Sequence, residues 1–313
     1  MSLAEILNRQ SMAGRRRRLV VEVLLCTVVG ITIVLAGVNA TIDSRRDVST
    51  PQYKSYAFLI ILVWAFLPVV WRVGCDTLDD LGTPARMVLR QRLPVAAAGV
   101  LVVVVVAVVV VATVSGVYAP GDKSPLNLGI YRVGLTYAAA SVALVPAVGA
   151  MWQCLPGLSR LRAIQSADLA LIHGLLNVRR ALLRSLTAAG SLVSLGVLAT
   201  GAQRQAVLAY DPHANYPASY VVVWGLGFSV ALLVNFMPGF RSLIDLANAT
   251  VEVAFPLLPP GEQGWRDALD DRAALAGLLQ VKGSARDIIN SSIIVAGPLM
   301  TSTLSLFLPS GNG

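Results

Sequence analysis

The chain has 313 residues, of which 56% are hydrophobic and 13% are charged, and its formal net charge is +8. A soluble domain carries about twice that share of charged residues, and several apolar runs here are long enough to cross about 30 Å of hydrocarbon. An ordinary soluble protein is therefore excluded. The sequence predicts an all-α, polytopic integral membrane protein.

Seven apolar runs predict about seven transmembrane helices, each near the roughly 20 residues that a spanning helix needs. In chain order they cover residues 19–40, 55–73, 93–117, 133–154, 186–203, 218–238 and 288–308. The last run contains Asn290 and Pro298, which leaves a re-entrant or buried helix as the alternative there.

One unit of sequence recurs three times. An apolar run ends in a Leu-Pro or Met-Pro step, an arginine follows three or four positions later, and a second apolar run comes after a polar linker. The steps and their arginines are Leu67-Pro68 with Arg72, Leu155-Pro156 with Arg160, and Met237-Pro238 with Arg241. Such recurrence predicts internal repeats. We divide the chain into a basic N-terminus (1–18), an anchor helix with an external loop (19–54) and three repeated helical hairpins (55–118, 119–209 and 210–313).

The distribution of positive charge predicts the orientation. Nineteen of the 25 Lys and Arg residues lie before the first span or in alternate linkers, which places those segments in the cytoplasm. All eight tyrosines lie near span ends on the opposite side, as an interfacial aromatic belt does. We therefore expect a multi-pass protein of the plasma membrane with a cytoplasmic N-terminus and an external C-terminus.

The first apolar run has two interpretations. Its basic flank and the sequence Val38-Asn39-Ala40 resemble a cleavable signal peptide. The run of about twenty residues exceeds the usual apolar length of roughly 7–15, which favours a retained anchor helix. Glu22 lies one turn from Arg18, and this spacing predicts an ion pair between the two at the membrane interface.

The excess of basic over acidic residues indicates a lipid partner. The positive residues are scattered over linkers that flank spans, where each attracts anionic lipid head groups by about 1 kcal/mol. We expect no nucleic-acid partner, because no basic stripe with interleaved aromatic residues occurs. Cys26, Cys75 and Cys154 lie in or beside spans and are interpreted as small apolar fillers.

Two cytoplasmic linkers carry amphipathic patterns. Residues 159–185 predict a long helix with leucines on one side and residues such as His173 and Arg180 on the other. It is expected to lie on the membrane surface or to pack against a helix over residues 265–281, within the cytoplasmic segment 239–287. This folded mass favours a cytoplasmic partner, either a second copy of the chain or another subunit of a membrane complex.

The spans differ in composition. The third, over Val100 to Val111, is almost entirely valine and is expected to face lipid. Spans four to seven are rich in the small residues that let membrane helices approach closely, so we expect them to form the core. Their inward polar residues are the candidate site of a channel or permease, or the interhelical contacts of an assembly subunit. These candidates are Asn235, Asn290, Ser291, Ser292, Thr301, Ser302 and Thr303.

The sequence contains none of the common hydrolase, zinc-protease or nucleotide-binding motifs, and no cofactor is expected. One catalytic pattern is present, a D-x-x-D-D cluster in each of two cytoplasmic linkers. The clusters are Asp76, Asp79 and Asp80, and Asp267, Asp270 and Asp271. Grouped carboxylates of this kind bind Mg²⁺, which in turn holds a diphosphate.

This layout resembles the UbiA family of membrane prenyltransferases, whose two aspartate-rich motifs lie on cytoplasmic loops. The resemblance implies, as the alternative to a non-enzymatic protein, a Mg²⁺-dependent prenyl or lipid transferase acting on a diphosphate at the cytoplasmic face. The chain lacks the Asn that usually opens the first motif of that family. A helical wheel also places Asp267, Asp270 and Asp271 together on the face opposite Trp265 and Leu269, which is the pattern of a solvated helix face.

Overall fold

The computed structural model describes residues 19–32, 50–82, 129–162, 169–210, 216–256, 264–279 and 296–303. These ranges form seven helices and contain no strand. The helices are α1 (Leu19–Thr32), α2 (Pro51–Asp80), α3 (Gly129–Arg162), α4 (Leu169–Tyr210), α5 (Ala218–Ala254), α6 (Trp265–Leu278) and α7 (296–303). The predicted all-helical class is confirmed for this part of the chain.

Four of these helices, α2 to α5, are long and apolar enough to cross a membrane. The predicted spans 55–73, 133–154, 186–203 and 218–238 lie within them. Two other predicted spans are represented by shorter helices, α1 and α7. The predicted valine span, 93–117, lies outside the described residues. The structure thus supports a helical membrane protein, with four helices that could span the membrane in the part of the chain that is described.

The N-terminus of α2 is fixed by local chemistry. The Thr50 side chain accepts a hydrogen bond from the backbone N–H of Tyr53 at 3.3 Å, and this satisfies one of the free donors of the first turn. Pro51 occupies the first turn, where its missing N–H costs nothing and its fixed φ suits the helix. The predicted span therefore starts a few residues earlier, at Pro51.

The prolines of the three repeated steps lie inside helices. Pro68 is within α2, Pro156 within α3 and Pro238 within α5. An interior proline removes one backbone hydrogen bond, but packing on both sides of it holds a membrane helix together. On α2, for example, Val70 and Leu78 lie beyond the proline and are buried. The helices consequently extend past the span ends predicted from these steps.

Helices α2 and α3 pack side by side and run parallel. Trp64 of α2 hydrogen-bonds to Thr136 of α3, and Gly74 of α2 lies against the backbone of Pro146 and Ala147 of α3. The two contacts are ten residues apart along each helix and occur in the same order. Parallel neighbours begin at the same end of the bundle.

Helix α4 packs antiparallel to α3. Tyr137, near the start of α3, hydrogen-bonds to Thr200, near the end of α4. Farther along α3, Cys154 contacts the carbonyl of Val178, which lies in the first half of α4. The six residues between Arg162 and Leu169 therefore connect two helices that lie side by side.

Helix α5 runs parallel to α3, because Tyr137 stacks on Trp224 and, fifteen residues later, Trp152 hydrogen-bonds to Asn235. The bundle thus has two distinct ends. The tyrosine end, formed by the starts of α2, α3 and α5, contains Tyr53, Tyr56, Tyr137, Tyr216 and Tyr220. The basic end, at the opposite side, contains Arg72, Arg160, Arg162, Arg179, Arg180, Arg184, Arg241, Arg266 and Arg272.

The outer surface of the bundle is apolar. On α5 a stripe at helical spacing is 39–50% exposed, and it consists of Val223, Leu226, Val230, Leu233 and Val234. The outward face of α1 is of the same kind, with Leu24, Leu25 and Val28 more than half exposed. Contiguous branched side chains of this size are unfavourable in water, so hydrocarbon is their natural solvent.

The predicted amphipathic linker helix over residues 159–185 is not a separate element. Residues 159–162 end α3, and residues from Leu169 onward belong to α4, which continues without a break into the predicted fifth span. Leu171, Leu175 and Leu182 on its inner face are buried, whereas His173 and Arg180 are exposed. The amphipathic pattern therefore arises because one face of α4 packs within the bundle at its basic end.

Candidate functional site

Asn235 is a predicted site residue that is buried inside the bundle. Its side chain on α5 is 3% exposed. The indole Nε1 of Trp152 on α3 donates a hydrogen bond to Asn235 Oδ1 at 2.9 Å, and Asn235 Nδ2 donates to the carbonyl of Ala231 at 2.8 Å. Both ends of the amide thus have partners within the protein. In a low-dielectric interior such a pair joins two helices and leaves no unpaired polar atom behind.

The space beside Asn235 is small. A cavity of about 10 Å³ lies next to it, and its other lining residues are apolar, among them Leu144, Met151 and Phe228. This volume is at the lower limit for a single water molecule. Among the described residues, the side chains around Asn235 hold α3 to α5 and leave space for at most one water molecule beside the amide.

The polar residues of α7 divide between the interior and the surface. Ser302 is fully buried and donates to the carbonyl of Leu299 at 2.7 Å, and Thr301 donates to the carbonyl of Pro298 at 2.9 Å. Thr303 is exposed and bonds within its own helix. The remaining candidates, Asn290, Ser291 and Ser292, lie outside the described residues.

Small residues allow α7 to pack closely against α4 and α5, as the composition of spans four to seven predicts. A Cβ atom added to Gly225 on α5 would lie 2.5 Å from Ser302 Oγ and 2.6 Å from the carbonyl oxygen of Pro298. One added to Gly297 on α7 would lie 2.9 Å from Ser194 Oγ on α4. Close approach of this kind allows extensive van der Waals contact, which drives helix association in lipid.

An aromatic cluster fills the tyrosine end. Trp224 of α5 stacks on Tyr137 of α3, with ring centroids 5.4 Å apart, and on Phe228, with centroids 5.2 Å apart. Tyr220 meets Trp224 edge to face at 6.1 Å. The Tyr137 hydroxyl donates to Thr200 Oγ1, because the Thr200 hydroxyl itself donates to the carbonyl of Gly196. These contacts tie α3, α4 and α5 together at the tyrosine end of the bundle.

A second cavity, of about 30 Å³, lies between α2, α3 and α4 at this end. Polar groups of Thr136, Tyr137, Thr200 and Gln203 border it, together with apolar side chains. Thr136 already accepts a hydrogen bond from Trp64 Nε1 at 3.0 Å. The cavity has the size of one or two water molecules.

The two aspartate clusters lie at the basic end. Asp76, Asp79 and Asp80 are exposed at the end of α2, and Asp80 accepts a hydrogen bond from Arg184 of α4 at 2.9 Å. Asp267, Asp270 and Asp271 are exposed on α6. Among the residues that the structure describes, no group of three or more His, Cys, Asp or Glu side chains is placed to hold a metal ion. The described geometry thus provides no support for a shared magnesium site.

The sequence reasoning missed the partners of Gly74 and Glu22. Gly74 is covered by backbone, since an added Cβ would lie 2.5 Å from the nitrogen of Ala147. Glu22 of α1 binds Arg72 of α2, with oxygen-to-nitrogen distances of 2.8 and 2.9 Å, whereas its predicted partner Arg18 lies outside the described residues. A glycine in an apolar helix and a single acidic residue in an apolar run are the only signals of these contacts in the sequence.

The fold and these interior contacts define an integral membrane protein of the helical-bundle class. The chain matches no protein-family model, no curated protein and no solved structure.

Proposed function

We propose that the protein is a non-enzymatic subunit of a plasma-membrane assembly, and that its basic end binds a partner on the cytoplasmic side. The observation that carries this proposal is the length of the helices relative to the membrane. Helix α4 has 42 residues and is therefore about 63 Å long, roughly twice the hydrocarbon thickness. The excess lies mostly at the basic end, because the uncharged stretch of α4 runs from residue 185 to residue 203.

The helical segments beyond the membrane form a packed layer. Residues 169–184 of α4 extend about 24 Å past the uncharged stretch, and residues 241–254 of α5 extend about 21 Å. Buried apolar residues of α3 to α6, together with Leu279 directly after α6, pack within this layer. The helical ones are Leu158, Leu171, Leu175, Leu243, Leu246 and Ala276. A structured layer outside the membrane gives a partner a rigid surface, which favours specific binding.

The interior supports the assembly form of the proposal over a channel or permease. A transport path needs polar groups that line a lumen. Asn235 instead bonds to Trp152 and to the carbonyl of Ala231, beside a cavity of about 10 Å³. Its polarity is used to hold α3 to α5.

We propose the orientation with the basic end in the cytoplasm, where exposed arginines such as Arg160, Arg180 and Arg241 meet anionic lipid head groups. Because α2 and α3 are parallel, residues 83–128 must connect the basic end of α2 to the tyrosine end of α3. This connection supports the proposed third span over residues 93–117. Reporter fusions after Ser166 and after Gly311 are expected to give opposite signals. The same signal from both fusions would contradict the external C-terminus.

The assembly is tested by extracting the full-length chain from its native membrane with a mild detergent and measuring the size of the complex. The chain itself has a mass of 33.0 kDa, and we expect it to migrate as a clearly larger species than one protomer with bound detergent. Intact-mass analysis then separates a second copy from a different subunit. Migration as a single protomer, in several mild detergents, would refute the proposal.

The transferase alternative makes a different prediction about the aspartates. If they hold Mg²⁺ and a diphosphate, Asp79→Asn and Asp270→Asn remove ligand charge and abolish the activity of the native protein. In our proposal neither carboxylate is a metal ligand, so both variants keep the growth phenotype and the complex size of the wild type. Harm confined to the aspartate variants would favour the transferase.

A further inference from the structure

We propose that α1 is a permanent helix of the membrane bundle, held to α2 by an ion pair between Glu22 and Arg72 and by a close contact at Gly30, and that it is not removed as a signal peptide. This inference does not depend on the proposed function. It concerns the two interpretations of the first apolar run that the sequence leaves open.

The ion pair is geometrically specific. Arg72 Nε donates to Glu22 Oε2 at 2.9 Å, and Arg72 Nη2 donates to Glu22 Oε1 at 2.8 Å. Two parallel hydrogen bonds between a guanidinium and a carboxylate fix both the distance and the orientation of the groups. The Arg72 side chain is only 22% exposed and that of Glu22 is 45% exposed, so the pair is partly shielded from solvent. Partial burial makes such a pair stronger than one on an open surface.

The second contact lies two turns away. Gly30 of α1 is buried, and a Cβ atom added there would lie 3.0 Å from Trp64 Cβ and 3.3 Å from Ile61 Cα. The helix backbones therefore approach closely at this point, which favours a residue without a side chain.

The two contacts agree in register. From Glu22 to Gly30 is eight residues along α1, and from Arg72 back to Trp64 is eight residues along α2. Both distances are about 12 Å along a helix, so α1 packs antiparallel to α2 over more than two turns. Glu22 and Gly30 of α1 each meet a specific partner on α2 in the same alignment of the two helices. We therefore assign α1 to the folded protein.

The surface of α1 is consistent with a place at the edge of the bundle. The less exposed residues of α1 recur at helical spacing, and they are Leu19, Glu22, Val23, Cys26, Thr27 and Gly30. The opposite face carries exposed apolar side chains that suit lipid, namely Val20, Val21, Leu24, Leu25, Val28 and Val29. One side of α1 thus packs on protein and the other faces lipid.

Intact-mass analysis of the full-length chain, purified from its native membrane, tests retention directly. We expect a mass that includes residues 19–40. A chain that begins at Thr41 would overturn the proposal whatever the stability of any variant.

A double-mutant cycle tests the ion pair. We expect Glu22→Gln and Arg72→Gln each to lower the melting temperature in detergent by about 2–4 °C, and the double variant to lie no lower than the less stable single variant, because both changes remove the same interaction. The matched control is Glu252→Gln, since that carboxylate is 67% exposed and 3.9 Å from Arg272, and a smaller shift is expected. An unchanged melting temperature for Glu22→Gln, or additive losses in the double variant, would contradict the contact.

Discussion

Replacing Gly74 by alanine tests the close crossing of α2 and α3. The added Cβ would lie 2.5 Å from the nitrogen of Ala147 and 2.7 Å from the carbonyl carbon of Pro146. An ordinary contact begins at 3.4 Å, so the two helices must move apart by about 0.9 Å. The atoms in the way belong to backbone, which does not yield by rotating a side chain.

The sign of the effect follows from two opposing contributions. Overpacking at a tight contact costs about 1–3 kcal/mol, and the rigid backbone here places the cost in the upper part of that range. Alanine gains about 1 kcal/mol over glycine in helix propensity. We therefore expect Gly74→Ala to lower the free energy of unfolding by about 1–2 kcal/mol.

Gly196 on α4 provides the matched control. A Cβ atom added there has nothing within 4 Å, so Gly196→Ala is expected to be neutral or to stabilise the protein by up to about 1 kcal/mol. Both variants are compared by reversible unfolding in mixed micelles with increasing SDS, followed by tryptophan fluorescence. A Gly74→Ala variant as stable as the wild type, or equal shifts in both variants, would refute the reasoning.

Two further substitutions test the interior. Asn235→Leu leaves Trp152 Nε1 without its acceptor, so we expect a loss of about 1–3 kcal/mol, and adding Trp152→Phe should recover part of it because no unpaired polar group then remains. Gly225→Leu drives a side chain into Ser302 and is expected to reduce the yield of monodisperse protein in size-exclusion chromatography. Val230→Leu is the control at a 47% exposed position and should elute as the wild type. Equal loss in both would show that the inner and outer faces are assigned wrongly.

The chemistry at the basic end illustrates why sequence motifs alone did not define a site. Two D-x-x-D-D clusters have the same spacing in the sequence, yet each lies on the exposed face of a different helix. Asp80 is bound to Arg184, which the sequence places 104 residues away. Carboxylate spacing along a chain sets which face of a helix the groups share, but the approach of two clusters depends on how the helices cross.

The sequence by itself determined the helical class of the protein and located the four long apolar helices α2 to α5. Hydropathy is a local property, and a run of about twenty apolar residues needs no partner to be recognised. The small residues of spans four to seven likewise predicted close helix contacts, and one such contact forms at Gly225. The position of the tyrosines near the ends of the apolar runs could also be predicted, because it too is a local property of the sequence.

Only the tertiary structure decided which side chains meet. Glu22 pairs with Arg72, Trp152 with Asn235, and Gly74 with the backbone of α3, and none of these partners is set by sequence spacing. Each depends on the direction and rotation of two helices about their axes, and these follow from the packing of the whole bundle. In lipid every aliphatic face is equally well solvated, so the choice of neighbour is made by shape and by a few polar contacts between distant parts of the chain.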